Sequence, residues 1–396
     1  MIFLLDLEWR SLVQIAFAIN LVNVNGQQID PRPDLRPFAV GILKGEGRGP
    51  ELIDAACNVL DAVAETCRLN LCIKTGGDIA SLSAKRTGEF LTDEVAQFCR
   101  EIFADGGAIL AGAAGGRFVY DMRRRFELYY KLNPLRSYPE LRDVCRIKLP
   151  AKPLDILLVR ENLQDIYQGI SVEASGEDGR EILHTFVHKE KQVRAVLEVA
   201  VAAARKRQNA LAVISKNSGL PVIHSLWRGC ALEVAGASGV KLSLLDIDYA
   251  AYKLLQEPER FDVIVASNCF GDILSDLGGV LAGSRGLTFG ASYAADGAAV
   301  YQTNHGAAHD RAGTDTANPV GQIFSLAMML RETFGLRSAA HLIEDSVRTL
   351  WRARWRTADL AESGCKIAGT RQFAELVARQ IQSAGVREHE ACSVVG

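Results

Sequence analysis

Two carboxylates, Asp272 and Asp276, stand four residues apart in SNCFGDILSD, directly after the apolar run FDVIVA. If a helix begins near Gly271, both project from one face. Two acids on one face repel unless something positive lies between them. A hard divalent cation such as Mg2+ or Mn2+ takes oxygen ligands of this kind and keeps positions for water or substrate. The same spacing also fits a plainer arrangement, with Asp272 as an N-terminal cap and Asp276 solvated in a first turn that the helix dipole favours. In RENLQDIY, Arg160 and Tyr167 follow another apolar run; a guanidinium offers a fork to a carboxylate and a phenol can relay a proton. Lys216 closes NALAVISK, as a general base or as a solvated strand-end charge. NHGAAHDRAG (304–313) holds two of the seven histidines and, lacking cysteine partners, reads as a backbone-lined ligand loop rather than a zinc site. GEGRGPE (45–51) fits neither a P-loop nor a dinucleotide fingerprint and reads as a strand-to-helix turn.

These side chains need a scaffold, and the pattern of apolar residues supplies one. FAVGILKGEGRGPELIDAACNVLDAVAETC reads as a short β-rich run, a Gly-rich turn and a helix, and further strands are expected in GGAILAGAAGG (106–116), LDILLVREN, NALAVISK and FDVIVASN, separated by helical segments such as QVRAVLEVAVAAARKR. The run FVYDMRRRFELYYKL has an amphipathic helical pattern. Strands alternating with helices over 396 residues predict an α/β protein with more than one core. Lys plus Arg number 45 against 47 for Asp plus Glu, so no basic field for nucleic acid exists. Nine scattered cysteines without a C-x-x-C pair suit reduced thiols in a cytoplasmic setting. The apolar N-terminus is interrupted by Asp6, Glu8 and Arg10 and lacks a basic leader, so it reads as an extension rather than a signal or membrane anchor.

The order of five motifs resembles one family, the metal-dependent β-decarboxylating dehydrogenases of the isocitrate/isopropylmalate type. GEGRGPE is similar to the family's GDGIGPE, GAAGG (112–116) to its GAVGG, and RENLQDIYQG to its RENTEGIYSG. FDVIVASNCFGDILSDLGGVLAGSRGL and HGAAHDRAGTDTANP are close to its metal and cofactor signatures. The resemblance implies a large mixed sheet flanked by helices, not a Rossmann module. It implies an extension over 1–37, a large domain from 38–128 plus 284–396, and a small central domain over 129–283 that carries a dimer interface. It implies Asp248, Asp272 and Asp276 as metal ligands, shared between the subunits of a homodimer. Lys216 matches the base, Tyr167 the acid, and Arg123 and Arg160 match carboxylate-holding arginines. His305, Gly306, Ala307, Ala308, Asp310 and Asn318 match the cofactor loop, with Asn217 beside the nicotinamide. Asp310 stands where an acid would accept from ribose hydroxyls and repel a 2′-phosphate, which favours NAD.

Several departures fall within these motifs. The family's third arginine is Asn133, for which Arg136 is a candidate substitute; its K-A-N reads Lys216, Asn217, Ser218. Gln302 and His309 replace a family Glu and Pro. Between GAAGG and Arg123 only RFVYDM intervenes, which puts Arg117 where isocitrate enzymes contact an acidic γ-group. The expectation is NAD- and Mg2+- or Mn2+-dependent oxidative decarboxylation of a 3-substituted malate. An isocitrate-like, homoisocitrate-like or phosphonomethylmalate-like γ-group, in a specialised pathway, is expected. Isopropylmalate or tartrate/D-malate as substrate, and a non-catalytic regulatory subunit, are the alternatives.

Overall fold

The computed structural model describes residues 36–236 and 238–393, with side chains placed as far as residue 384. The extension expected before this range lies outside the described residues. In chain order the elements begin β1 (Phe38–Leu43), α1 (Gly49–Cys67), β2 (Leu71–Thr75), α2 (Ala80–Thr87), α3 (Asp93–Ala104), β3 (Ala108–Ala111), α4 (Phe118–Arg125), β4 (Tyr130–Arg136) and β5 (Asp155–Glu161). A hairpin of β6 (Ile170–Gly176) and β7 (Gly179–Thr185) follows, then α5 (Glu190–Arg205), β8 (Ala210–Ser215), α6 (Pro221–Gly236), β9 (Lys241–Asp246) and α7 (Ile247–Gln256). The last stretch is β10 (Val263–Ala266), α8 (Asn268–Ala282), β11 (Phe289–Tyr293), β12 (Ala299–Thr303), α9 (Val320–Glu332), α10 (Arg337–Arg352), β13 (Trp355–Arg356), β14 (Lys366–Ile367) and α11 (Thr370–Ser393).

Ten strands form one mixed sheet in the order β2-β1-β3-β12-β11-β4-β5-β10-β8-β9. Strands from the two ends of the chain occupy one half, and those from its centre the other. The halves meet where β11 pairs with β4 antiparallel. Most pairs are parallel, and their strands read as apolar runs because helices cover both faces. The α/β class and the mixed sheet expected from sequence are thus found. α9 is buried at every position from Val320 to Leu330, so it runs through the core rather than along the surface. α1 begins with Pro50 and Glu51 in its first turn, both suited to an N-terminus, and ends on Arg68 in the left-handed conformation.

One sequence expectation requires correction. The helical pattern of FVYDMRRRFELYYKL ends at Arg125, and from Tyr130 the chain is the central strand β4. Tyr130, Lys131, Leu132 and Asn133 are buried, so tertiary packing overrides the local pattern. The Gly- and Ala-rich stretch after Gly278 ends α8 and supplies the buried strand β11.

Candidate active site

Parallel strands point their C-terminal ends the same way, so β5, β10, β8 and β9 deliver their following residues to one edge of the sheet. β4 runs antiparallel beside β5 and brings its N-terminal end to the same edge, with Lys131 directly opposite Arg160. At the end of β10, Ser267 is the residue preceding helix α8, which therefore begins at Asn268. Asp272 is consequently not a cap. It lies one turn in, and Asp276 lies one turn further on the same face.

A cluster of buried cations surrounds Asp272. Arg160 donates to Asp272 and, through Nε and Nη2, to Asn268 Oδ1 at 3.0 and 2.7 Å. Arg123 Nη1 reaches the same oxygen at 3.4 Å. Asn268 is held in turn by its Nδ2 donating to the Gln164 carbonyl at 3.1 Å. A Cβ on Gly271 would lie 2.7 Å from Arg160 Cγ, so glycine there lets α8 rest on the arginine. Burial pushes the Asp272 carboxyl up, but Arg160, Lys131 and Arg123 outweigh it and hold it below the usual aspartate range. Burial, together with the charges of Arg123 and Arg160, holds the Lys131 ammonium well below the usual lysine range.

Tyr167 sits over this cluster, its ring 5.9 Å from the Arg160 guanidinium and edge-on to Tyr120 at 5.8 Å. Burial and the Asp272 charge raise its hydroxyl above the usual tyrosine range, which keeps it a proton donor. Tyr120 lies between Arg117, at 5.1 Å, and Arg123, at 5.4 Å. Asp276 accepts both contacts of Arg285 Nη2, at 2.9 and 3.1 Å.

The remaining predicted groups form a second cluster. Lys216 Nζ donates to Asp248 at 2.6 Å and lies 3.5 Å from Asp246, while the Asn217 amide donates to Asp246 at 2.8 Å. The Asp248 contact holds the Lys216 ammonium above the usual lysine range. No group of three acidic, His or Cys side chains able to hold a metal occurs among the described residues. Asp248 therefore does not join Asp272 and Asp276 within one chain. Asp272 and Asp276 are partly open carboxylates on one helix face, and oxygen donors of this kind fit Mg2+ or Mn2+.

Three Gly-rich loops, which follow β1, β3 and β12, meet one another. The Arg48 amide donates to the Ala307 carbonyl at 2.8 Å, and Glu46 accepts from the Gly115 and Ser81 amides at 2.7 and 3.0 Å. GEGRGPE is the strand-to-helix turn expected. Its contact with GAAGG and the His305–Asp310 loop is visible only in three dimensions. Among the described residues Arg48 Nε and Nη2 are buried without a partner, and Arg48 acts with Arg285 on His305. An orphaned guanidinium beside a backbone-lined loop fits the anionic bridge of a dinucleotide. Asn318 Oδ1 accepts from the Val320 amide at 3.0 Å, and its Nδ2 donates to Asp359 at 3.1 Å. Asp310 is an open acid at the loop's end, its nearest cation Arg311 at 3.6 Å.

Asn133 stands apart from the arginines. Its Nδ2 donates to Asn304 Oδ1 at 2.9 Å and to the Phe289 carbonyl at 3.3 Å. Arg136 is at the far end of β4, paired with Asp155 and Glu344, each at 3.4 Å, so it does not stand in for the missing arginine. Sequence reasoning passed over Lys131, Asn268, Arg48 and Glu46. Only the apolar neighbours of Lys131 in the sequence hinted at burial.

The isocitrate/isopropylmalate dehydrogenase family model matches residues 39–377. The chain belongs to the isocitrate/isopropylmalate dehydrogenase family. Relatives named 3-isopropylmalate dehydrogenase are 36% identical in Nitratidesulfovibrio vulgaris, over 86% of this chain and 98% of the relative. A 3-isopropylmalate dehydrogenase of Pectobacterium atrosepticum is also 36% identical, over 87% and 98%. The crystal structure of isocitrate dehydrogenase from Methylococcus capsulatus superposes with a TM-score of 0.78 at 27% identity, covering 87% of this chain and 99% of that one. As a member of this family the chain is a decarboxylating dehydrogenase acting on a CH–OH group, of a family that uses NAD and Mg2+ or Mn2+. No helix among the described residues is long and apolar enough to cross a membrane.

Proposed function

We propose that this dehydrogenase oxidises and decarboxylates a 3-substituted malate whose γ-substituent is acidic, a carboxylate or a phosphonate. The observation that carries this reading is Arg117. Its guanidinium lies over the Tyr120 ring, Nη1 is 3.5 Å from the Tyr167 carbonyl, and no ion pair to it occurs among the described residues. An arginine left without an acid beside the proton donor suits an anionic group on the substrate. In the same reading Arg123 and Arg160 hold the malate carboxylates, and Asp248, Asp272 and Asp276 hold the metal. Residues His305 to Ala308, Asp310 and Asn318 seat NAD, with Asn217 at its nicotinamide end. Bound there, a divalent metal would lower the cost of deprotonating the 2-hydroxyl and of releasing carbon dioxide, and NAD would serve as the hydride acceptor. Lys216 takes the hydroxyl proton and Tyr167 returns one to carbon 3.

Within one chain Lys216 and Asp248 pair with each other and do not join Asp272 and Asp276. We infer a homodimer in which a second copy brings its Lys216 and Asp248 to this cluster. The central segment 129–283, read as a separate domain from 38–128 with 284–396, exposes the apolar side chains such an interface needs. Ile170 and Leu183 on the β6–β7 hairpin and Val222 on α6 are 72, 64 and 82% exposed. The free cysteines fit a cytoplasmic setting.

An apolar γ-substituent is the second reading, favoured by relatives named 3-isopropylmalate dehydrogenase and by Phe118 and Val119 beside Arg117. NADH formation measured across isocitrate, homoisocitrate, isopropylmalate, D-malate, tartrate and phosphonomethylmalate separates the two. An acidic substrate should be preferred, and Arg117→Ala should lower its kcat/KM by about 100-fold, the loss of one charge-assisted contact. Preference for isopropylmalate, unchanged in Arg117→Ala, would decide for the second reading. For the cofactor, Asp310→Lys should raise KM for NAD at least tenfold (about 1.4 kcal/mol) and lower that for NADP; saturation curves with each cofactor check it.

A further inference from the structure

The loss of an arginine at position 133 would leave the carboxylate cradle one cation short, yet the described chain has a third buried cation. We propose that Lys131 supplies the positive charge that receives a substrate carboxylate in place of residue 133. The proposal rests on the dehydrogenase reading of the same site.

Residues 131 and 133 are two apart on β4, so their side chains leave the same face of the sheet. A Cβ on Gly290 of β11 would meet both the Asn133 amide and, at 3.1 Å, Lys131 Cε, so the two side chains lie against one glycine. They differ in where they lead. Asn133 is drawn to Asn304 and the end of β11, away from the arginines. Lys131 pairs across the ladder with Arg160, and directly opposite residues share a face. Its charge acts on Arg123, Arg160, Asp272 and Asp276. The residue is 3% exposed, and no hydrogen bond or ion pair to its ammonium occurs among the described residues.

A buried ammonium without a partner is costly in an apoprotein. Arg123, Lys131 and Arg160 are all at most 3% exposed, and among the described residues Asp272 is the one carboxylate bonded to any of them. The imbalance fits an anion that arrives with the substrate, as a carboxylate within reach of all three would satisfy the ammonium and the unpaired Arg123 Nε together. Lysine is a point charge on a flexible stem, whereas arginine fixes a carboxylate in a fork. The exchange therefore relaxes the geometry demanded of the bound carboxylate while keeping its charge.

The test compares wild type, Lys131→Met and Lys131→Met/Asn133→Arg, using the substrate that wild type prefers in the screen above. Lys131→Met should lower kcat/KM about 100-fold, mainly through KM, because a charged contact to substrate is lost. Returning an arginine at 133 should recover at least tenfold of that loss. In the absence of substrate, Lys131→Met should melt no lower than wild type, since it removes an unpaired charge, and should bind Mn2+ unchanged by calorimetry. Kinetics within threefold of wild type, a lowered melting temperature, lost Mn2+ binding or no recovery in the double variant would each overturn the assignment of Lys131 alone. Wild type that forms NADH from no 3-substituted malate would overturn the dehydrogenase reading and this inference with it.

Discussion

Asp272→Asn is expected to lower kcat/KM for NADH formation by about 1,000-fold or more, the scale of losing one charged group at a reacting centre. The substitution keeps shape and removes charge. Arg160 remains anchored by two contacts to Asn268 Oδ1, so the site's geometry should survive. The three buried cations would then lose the carboxylate that Arg160 bonds, and a neutral amide is a poor ligand for a hard divalent ion. Calorimetry should accordingly show Mn2+ affinity falling with activity, and wild type should lose turnover in chelator and regain it on adding Mn2+. Stability should fall only by about 1–3 kcal/mol, the range for one charged hydrogen bond. A variant that binds Mn2+ like wild type and turns over within tenfold of it would remove Asp272 from the metal site.

Gly47→Ala is expected to raise KM for NAD at least tenfold, or about 1.4 kcal/mol, while destabilising the fold by about 2 kcal/mol. Gly47 has φ +58°, a left-handed conformation that costs an L residue, and a Cβ there would press into the Ala307 carbonyl. The neighbouring Arg48 amide donates to that same carbonyl, so relief of the clash must move the His305–Asp310 loop or break the contact. Gly297 provides the control. It has φ +95° but open space around it, so Gly297→Ala should strain the backbone without touching the loop. Thermal melts and NAD saturation curves on both variants separate the effects. Equal KM values for NAD in the two variants would refute the argument.

Strands β5, β8 and β10 were legible because each is an apolar run closed by polar residues, a signal contained within a few consecutive positions. β4 was not, because Tyr130 to Arg136 follows a charged helix without a break signal and contains Pro134, which local rules place at sheet edges. Its place between β11 and β5 comes from burial on both faces, a property of its neighbours. The exposed β6–β7 hairpin was missed for the opposite reason. Its apolar side chains are not packed within the described chain, so they lack the pattern that a core imposes.

The sequence by itself determined the α/β class, the family and the spacing that sets Asp272 and Asp276 on one helix face, because these depend on local order and on short motifs. Only the tertiary structure decided which charges meet. It gathered Arg123, Lys131, Arg160 and Asp272 from four separate elements, and it left Lys216 with Asp248 in another cluster. It also turned Asn133 and Arg136 away from the arginines and set Lys131 beside Arg160. The physical reason is that strand register, unlike residue type, fixes which side chains share a face, and register is set by packing across distant segments.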